Sequence, residues 1–450
     1  MGNLASWVRR LFRSSQPPER QVKAVPVPPV KAVPVTVAPL PTPLSERERR
    51  IDAAIGAAEV TVARVESLAQ FAAGNNKFAV ALHHQLRGHA GNLFLSPFSV
   101  RAALAMSYLG ARGGTAAQMR EVLCMAIPDD EFCAGYAELV SRLRGTDGAH
   151  RIAVANSLWT QLGAPVEAAF AQSIGTYFDG ACNPVDFVRG AATAREAIND
   201  WVRDRTQNRI PDALPAGLPD PDTRLLIVNA IHFRGLWREP FEREHTRDEP
   251  FFLTDGTQVQ VPLMHQKTSV RYRQGAGYQA VTLPYLGTEL AMAVILPDQR
   301  DGLADLESGL SAAMIGDCLQ TPVSTRVELS LPRFHIHWGT DELGDVLAAL
   351  GMTLALGGEA DFSGINGRAP PDEAALFISG VVHKAFVDVD EQGTEAAAST
   401  LLMQTVLGLS PRVAAVPVFR ADHPFLFAIG DPDSGAILFL GRMVDPSLAT

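Results

Sequence analysis

Apolar side chains recur along this chain with two different periods, and the change from one to the other marks out its elements. Ile51, Ile55, Val62 and Val65 fall at loosely helical spacing behind Ser45-Glu46-Arg47-Glu48. That quartet matches a capping box, in which a serine and a glutamate three residues on satisfy each other's free backbone donors. The pattern predicts a helix running into, or just preceding, a first core helix around Phe71 to Leu86. Thr340 to Leu350 reads as a further helix, ended near Gly351. Elsewhere the alternation has a period of two or gives way to an apolar run, so Arg224 to Phe233 and Val327 to Phe334 predict strands.

One stretch has a different texture. Glu391-Gln392-Gly393-Thr394-Glu395-Ala396-Ala397-Ala398-Ser399-Thr400 is made mostly of small side chains after a single glycine, with no proline. Apolar and β-branched segments flank it, Leu376 to Ser379 and Phe386 to Asp390 upstream and Val413 to Phe419 downstream. Alanine and serine add little to a fixed strand or to a core, yet a loop built from them enters a sheet without clashing. At period two, Thr394, Ala396, Ala398 and Thr400 share one face and Glu395 falls on the other. A loop that must become a buried strand needs this arrangement.

Composition narrows the classes. Nearly half of the 450 residues are hydrophobic, enough for a sizeable core. The balance is acidic, 49 Asp+Glu against 39 Lys+Arg, which argues against a general nucleic-acid binder. Cys124, Cys133, Cys182 and Cys318 show no CxxC spacing and read as free thiols, with a Cys124–Cys133 disulfide as the alternative. Residues 14 to 44 are proline-rich, and Val22-Lys-Ala-Val-Pro-Val27 recurs at Val30-Lys-Ala-Val-Pro-Val35. Such a segment favours an extended, solvated spacer. The chain therefore divides into a disordered extension (1–44), a helical lead-in (45–66) and one large domain (67–450).

The first residues, Met1-Gly2-Asn3-Leu4-Ala5-Ser6, fit the N-myristoylation pattern at Gly2. Trp7, Leu11 and Phe12 beside Arg9, Arg10 and Arg13 would then rest on an anionic membrane surface; a plain disordered end is the preferred reading. No apolar run has the length of a signal peptide or a membrane span, so the expectation is a cytoplasmic protein, with unconventional export as the alternative.

Catalytic motifs are missing from the chain: no Gly-x-Ser-x-Gly, His-Glu-x-x-His, Walker loop or Gly-x-Gly-x-x-Gly after a strand. His335-Ile336-His337 sets two imidazoles on one face of a strand without a further ligand nearby in sequence, so strand histidines are preferred over a metal site. Neither an enzyme nor a cofactor or metal protein is expected.

The small-residue loop resembles the hinge of the reactive-centre loop of serpins, and ordered blocks extend the resemblance over roughly residues 67 to 446. They include Asn92 to Val100, Ala155 to Trp159, Ile198 to Val202, and Val228-Asn-Ala-Ile-His-Phe-Arg-Gly-Leu-Trp237 with Pro240-Phe241. Val261 to Met264, Leu283-Pro284-Tyr285, Ala291 to Pro297, Leu331 to Phe334, Asp361 to Gly364, Val382 to Ala385, Ala421 to Phe427 and Leu440 to Arg442 follow in order.

The resemblance implies an α+β serpin fold with three β-sheets, about nine helices and an exposed reactive-centre loop. It implies a monomeric inhibitor that offers the loop to a target endopeptidase, then inserts it into the main sheet while still tethered as the acyl-enzyme. From Glu391 to Leu407 an extended strand spans roughly 50 Å, about the length of such a domain. Gly393 would be the pivot, Thr394 would enter first, and Ala396, Ala397, Ala398, Ser399 and Thr400 would follow. The family's spacing from the hinge puts the scissile bond at Leu407–Gly408; counting back from Phe419 favours Leu409–Ser410. Either leucine suits a chymotrypsin-like, elastase-like or papain-like primary pocket, whereas a trypsin-like enzyme would need the distant Arg412. Ser96, Ser99, Asn229 and His383 map onto the family's shutter beneath the strands that must part, and Trp237 onto the breach where the loop enters. The stretch that binds heparin in some members carries only Arg142, Arg144 and Arg151 here, which argues against a polyanion cofactor. A non-inhibitory member, acting as chaperone or carrier, is the alternative.

Overall fold

The structure, a computed structural model, describes residues 46–143, 150–340, 343–394 and 416–448. Two compact units divide the chain, Met1–Gly56 and Ala57–Thr450; of the first, only helical backbone from Glu46 is described. In chain order the elements are α1 (Glu46–Leu86), β1 (Leu93–Leu95), α2 (Pro97–Tyr108), α3 (Gly113–Val122), α4 (Asp129–Leu143), β2 (His150–Gln161), α5 (Ala168–Phe178), β3 (Ala181–Val185), α6 (Phe187–Arg205), β4 (Leu225–Leu236), β5 (Arg247–Phe252), β6 (Gln258–Gln274), β7 (Tyr278–Pro284) and β8 (Ala291–Pro297). After them come α7 (Leu303–Ser308), α8 (Ala312–Leu319), β9 (Ser324–Pro332), β10 (Phe334–Thr340), α9 (Leu343–Ala349), α10 (Ser363–Asn366), β11 (Ile378–Val389), β12 (Gly393–Thr394), β13 (Val418–Arg420), β14 (Phe425–Asp431) and β15 (Ala436–Met443).

Among the described residues the strands form two sheets. Nine belong to one, in the order β1-β15-β14-β8-β7-β6-β9-β13 with β5 on β6, and six to the other, in the order β10-β11-β12-β4-β2-β3. The mixed α+β class is as the sequence implied, but the expected three sheets are two. The 17-residue β6 pairs with β5 over Gln258–Leu263, with β9 over Leu263–Arg271 and with β7 over Arg271–Gln274, so two expected sheets join through one long strand. The predicted helix from Thr340 also starts later. Trp338, Gly339 and Thr340 pair with Ala385, Lys384 and His383 on β11, and the helix described before Gly351 is Leu343–Ala349.

Helix α2 lies between the sheets, in contact with β15 of one and with β2 and β4 of the other. All twelve of its residues are buried, so its one charged side chain is paired inside, Arg101 donating to the carbonyls of Leu123, Phe71 and Cys124. On the outer face of the six-stranded sheet, Phe187, Ala194, Ile198 and Val202 of α6 pack with Trp159, Leu226, Val228 and Val382. The central strands β4 and β11 are therefore covered on both faces. All four cysteines are free.

Candidate functional site

The six-stranded sheet contains a seam. From Ile378↔Leu225 to Phe386↔His232, β11 and β4 pair in parallel, with His383 opposite Asn229. Beyond Phe386 the two strands diverge, and the two-residue β12 lies between them, antiparallel to both: Thr394 pairs with Val389, and Gly393 and Thr394 with Leu236 and Gly235. An antiparallel strand continued down this seam would replace one parallel pairing by two antiparallel ones, the slightly stronger kind.

Residues 390–394 are held tightly at the top of the seam. Asp390 Oδ1 accepts from the backbone N–H groups of Gln392 (2.7 Å) and Gly393 (3.2 Å). Trp237 donates its backbone N–H to Gln392 O (2.8 Å) and its indole N–H to Asp390 O (3.0 Å). Glu391, only 1% exposed, accepts from Arg333 Nε at 2.8 Å and also from Arg333 Nη2 and Thr246 Oγ1. Burial pushes the Glu391 carboxyl up, but the bonds from Arg333 and Thr246 outweigh it and hold the group below the usual carboxylate range. A side chain at Gly393 would put its Cβ 2.1 Å from Gly235 O, so only glycine lies here against β4. Thr394 is fully buried, its hydroxyl 2.8 Å from the equally buried hydroxyl of Tyr285. Trp237 stacks on that tyrosine at 4.7 Å.

Midway down the seam lies a buried polar network. His383 Nε2 accepts the backbone N–H of Ser96 (3.0 Å), so Nδ1 carries the proton and donates to Asn229 Oδ1 across the seam. Asn229 Nδ2 donates to Ser99 Oγ and to Asn156 Oδ1. Ser96 caps α2, its hydroxyl accepting from Ser99 N at 3.2 Å and donating to Leu438 O at 2.8 Å. Burial, then the nearby Lys384 charge, pushes His383 down to about 3, so the imidazole is neutral. The four residues assigned to the shutter thus meet, and Asn156 completes them.

Sequence reasoning missed Asn156, although it lies within the block Ala155 to Trp159; its pairing with Asn229 is a matter of strand register. It also missed Asp390, Arg333, Thr246 and Tyr285. His335 and His337 project from the edge strand β10, opposite Asp388 and Phe386. Among the described residues no group of three or more His, Cys, Asp or Glu is placed to hold a metal, and no helix is long and apolar enough to cross a membrane. Gly2, Ser45, Arg144, Glu395, Ala396, Ala397, Ala398, Ser399, Thr400, Leu407, Gly408, Leu409, Ser410 and Arg412 lie outside the described residues.

Comparison with known proteins bears on the same geometry. The family profile described as "Serpin (serine protease inhibitor)" matches residues 73–446. A serpin-like protein of Thermococcus kodakarensis is 39% identical over 82% of this chain and 84% of its own. A leukocyte elastase inhibitor of Bos taurus is 38% identical over 84% of this chain and 100% of its own. The solved structure of an Arabidopsis serpin in its native stressed conformation has a TM-score of 0.74 at 28% identity, covering 84% of this chain and 98% of that one.

Proposed function

The chain belongs to the serpin family, and from that premise we propose that it inhibits endopeptidases as a suicide substrate, trapping the acyl-enzyme by drawing its own loop into the seam. The observation that carries this reading is the divergence of β11 from β4, with the first two loop residues already between them. Both registers can be continued down the seam. For each residue gained along the loop, the partner falls by one on β4 and on β11. Ala396 would then face Phe233 and Val387, Ala398 would face Ile231 and Ala385, and Thr400 would arrive between Asn229 and His383. Those last two are each other's partners today, so the two registers agree.

Gln404 would reach Leu225, the first residue of β4. Leu407 would hang three residues beyond, about 10 Å past the end of the strand. An acyl-enzyme carried to either leucine has crossed the whole sheet, and the family's spacing from the hinge favours Leu407–Gly408 as the scissile bond over Leu409–Ser410. Small side chains at 396, 398 and 400 would meet the face next to α2 without displacing it. The energy source is a sheet that lacks a strand it can accommodate. A leucine at the cleaved position and the kinship with a leukocyte elastase inhibitor favour chymotrypsin-like or elastase-like targets, with papain-like enzymes as a further class.

The test is to incubate the purified chain with chymotrypsin, neutrophil-type elastase and a papain-like protease, then run denaturing gels. The expected result is a denaturant-resistant band at the summed mass with activity lost, and a cut at 407 by mass spectrometry. Clean cleavage without that band across a broad panel overturns inhibition and leaves the chaperone or carrier reading. A cut outside 407–409 overturns the assigned bond.

A further inference from the structure

We propose that Tyr285 is a positioning residue for loop insertion: its hydroxyl latches Thr394 on the first rung of the seam before any protease meets the loop. The inference rests on the loop-insertion reading above and adds the side chain that fixes its first rung. Three observations carry it. Tyr285 and Thr394 are both fully buried, and the two hydroxyls lie 2.8 Å apart. Tyr285 is fixed from both sides, stacked on Trp237 at 4.7 Å and edge-on to Phe233 at 4.9 Å. Its backbone is tied in as well, through Tyr285 N to Leu290 O at 3.0 Å and a bridge to Trp237.

Strand register decides whether this bond is a brake or a nucleus. Antiparallel pairing of Thr394 with Gly235 and Val389 stays unchanged as later residues are added below it, so the bond is made before insertion and kept throughout. Insertion then propagates from an ordered end and does not have to begin from a free loop. The entropy of fixing the first two residues is already spent when the acyl bond forms. Trapping is a race between insertion and deacylation, so a preformed first rung shifts the outcome toward trapping. The latch also needs Gly393, whose absent side chain lets β12 lie against Gly235 O.

The experiment is a double-mutant cycle on the full chain, using whichever protease of the panel is trapped. Tyr285→Phe, Thr394→Val, Thr394→Ser and the double variant Tyr285→Phe/Thr394→Val are compared by thermal midpoint and by molecules cleaved per protease trapped. Because the bond persists in the inserted form, its loss acts by freeing the first rung beforehand, so Tyr285→Phe and Thr394→Val are each expected to raise that ratio measurably, by up to about tenfold, the most that losing one buried hydrogen bond allows. Thr394→Ser should stay near the native ratio because it keeps the hydroxyl, and the double variant should be no worse than either single one. A purely structural role would lower the midpoint and leave the ratio unchanged, and that result overturns the latch. So does a double variant whose effect is the product of the two singles. A native chain that traps nothing in the panel overturns both this inference and the inhibitory reading; trapping with an unchanged Tyr285→Phe ratio overturns this inference alone.

Discussion

Replacing His383 by alanine removes the side chain that spans the seam. His383 is fully buried and serves two groups at once, accepting from Ser96 N and donating to Asn229 Oδ1. Alanine leaves both without a partner, at about 1–3 kcal/mol each, so the loss is about 2–6 kcal/mol against a usual total of about 5–15 kcal/mol. The cost falls where β11 meets β4, so the seam should open before the rest unfolds. The same histidine gives a pH signature. Its folded value is about 3, below the usual imidazole value of about 6.5, so the unfolded chain takes up a proton that the folded chain refuses. Native stability from this group is complete above about pH 6.5 and is lost as pH falls toward 3, by about 1.4 kcal/mol per unit. Urea unfolding followed by tryptophan fluorescence should show a lower midpoint in His383→Ala at pH 7.5, and a gap that narrows on acidification. Native gels after mild heating should show more polymer. An unchanged midpoint with an unchanged polymer yield would refute the reasoning.

Glu391→Lys should place two cations at the top of the seam, because Glu391 is buried against Arg333 and Thr246; the expected loss is about 2–4 kcal/mol, read as a lower thermal midpoint, and a native-like midpoint contradicts it. Gly393→Ala should fold and still be cleaved at the same bond, yet act more as a substrate than as a trap, since its Cβ would lie 2.1 Å from Gly235 O; an unchanged ratio of cleavage to trapping contradicts that. Asn156→Ala takes an acceptor from Asn229 and Ser99 without cutting the link across the seam. It should lower the unfolding free energy read from urea titration by about 1–3 kcal/mol with a smaller rise in polymer than His383→Ala, and an equal or larger rise would contradict the assignment.

Much of this arrangement was legible as local pattern. The apolar run of β4, the strand at β9, glycine at position 393 and Gly351 as a helix stop follow from side-chain period and glycine's backbone freedom. What stayed hidden depends on register and on contacts distant in sequence. His383 and Asn229 were assigned to one network by resemblance, but Asn156 joins them only because β2 pairs with β4 in one register. Arg333 reads as a strand residue until the break between β9 and β10 turns it toward Glu391. Tyr285 reads as another core aromatic until β12 brings Thr394 to its hydroxyl. The merging of two sheets was hidden for the same reason, since nothing local in β6 says that its two ends pair with different partners.

Thermal unfolding of the intact chain, compared with the same chain after its loop has been cut, tests the central claim most directly. If the cut loop fills the seam, two antiparallel pairings replace one parallel pairing and the cleaved form should unfold at a markedly higher temperature than the intact one. Equal midpoints would mean that the loop stays out of the sheet, and the trapping account would fail with it.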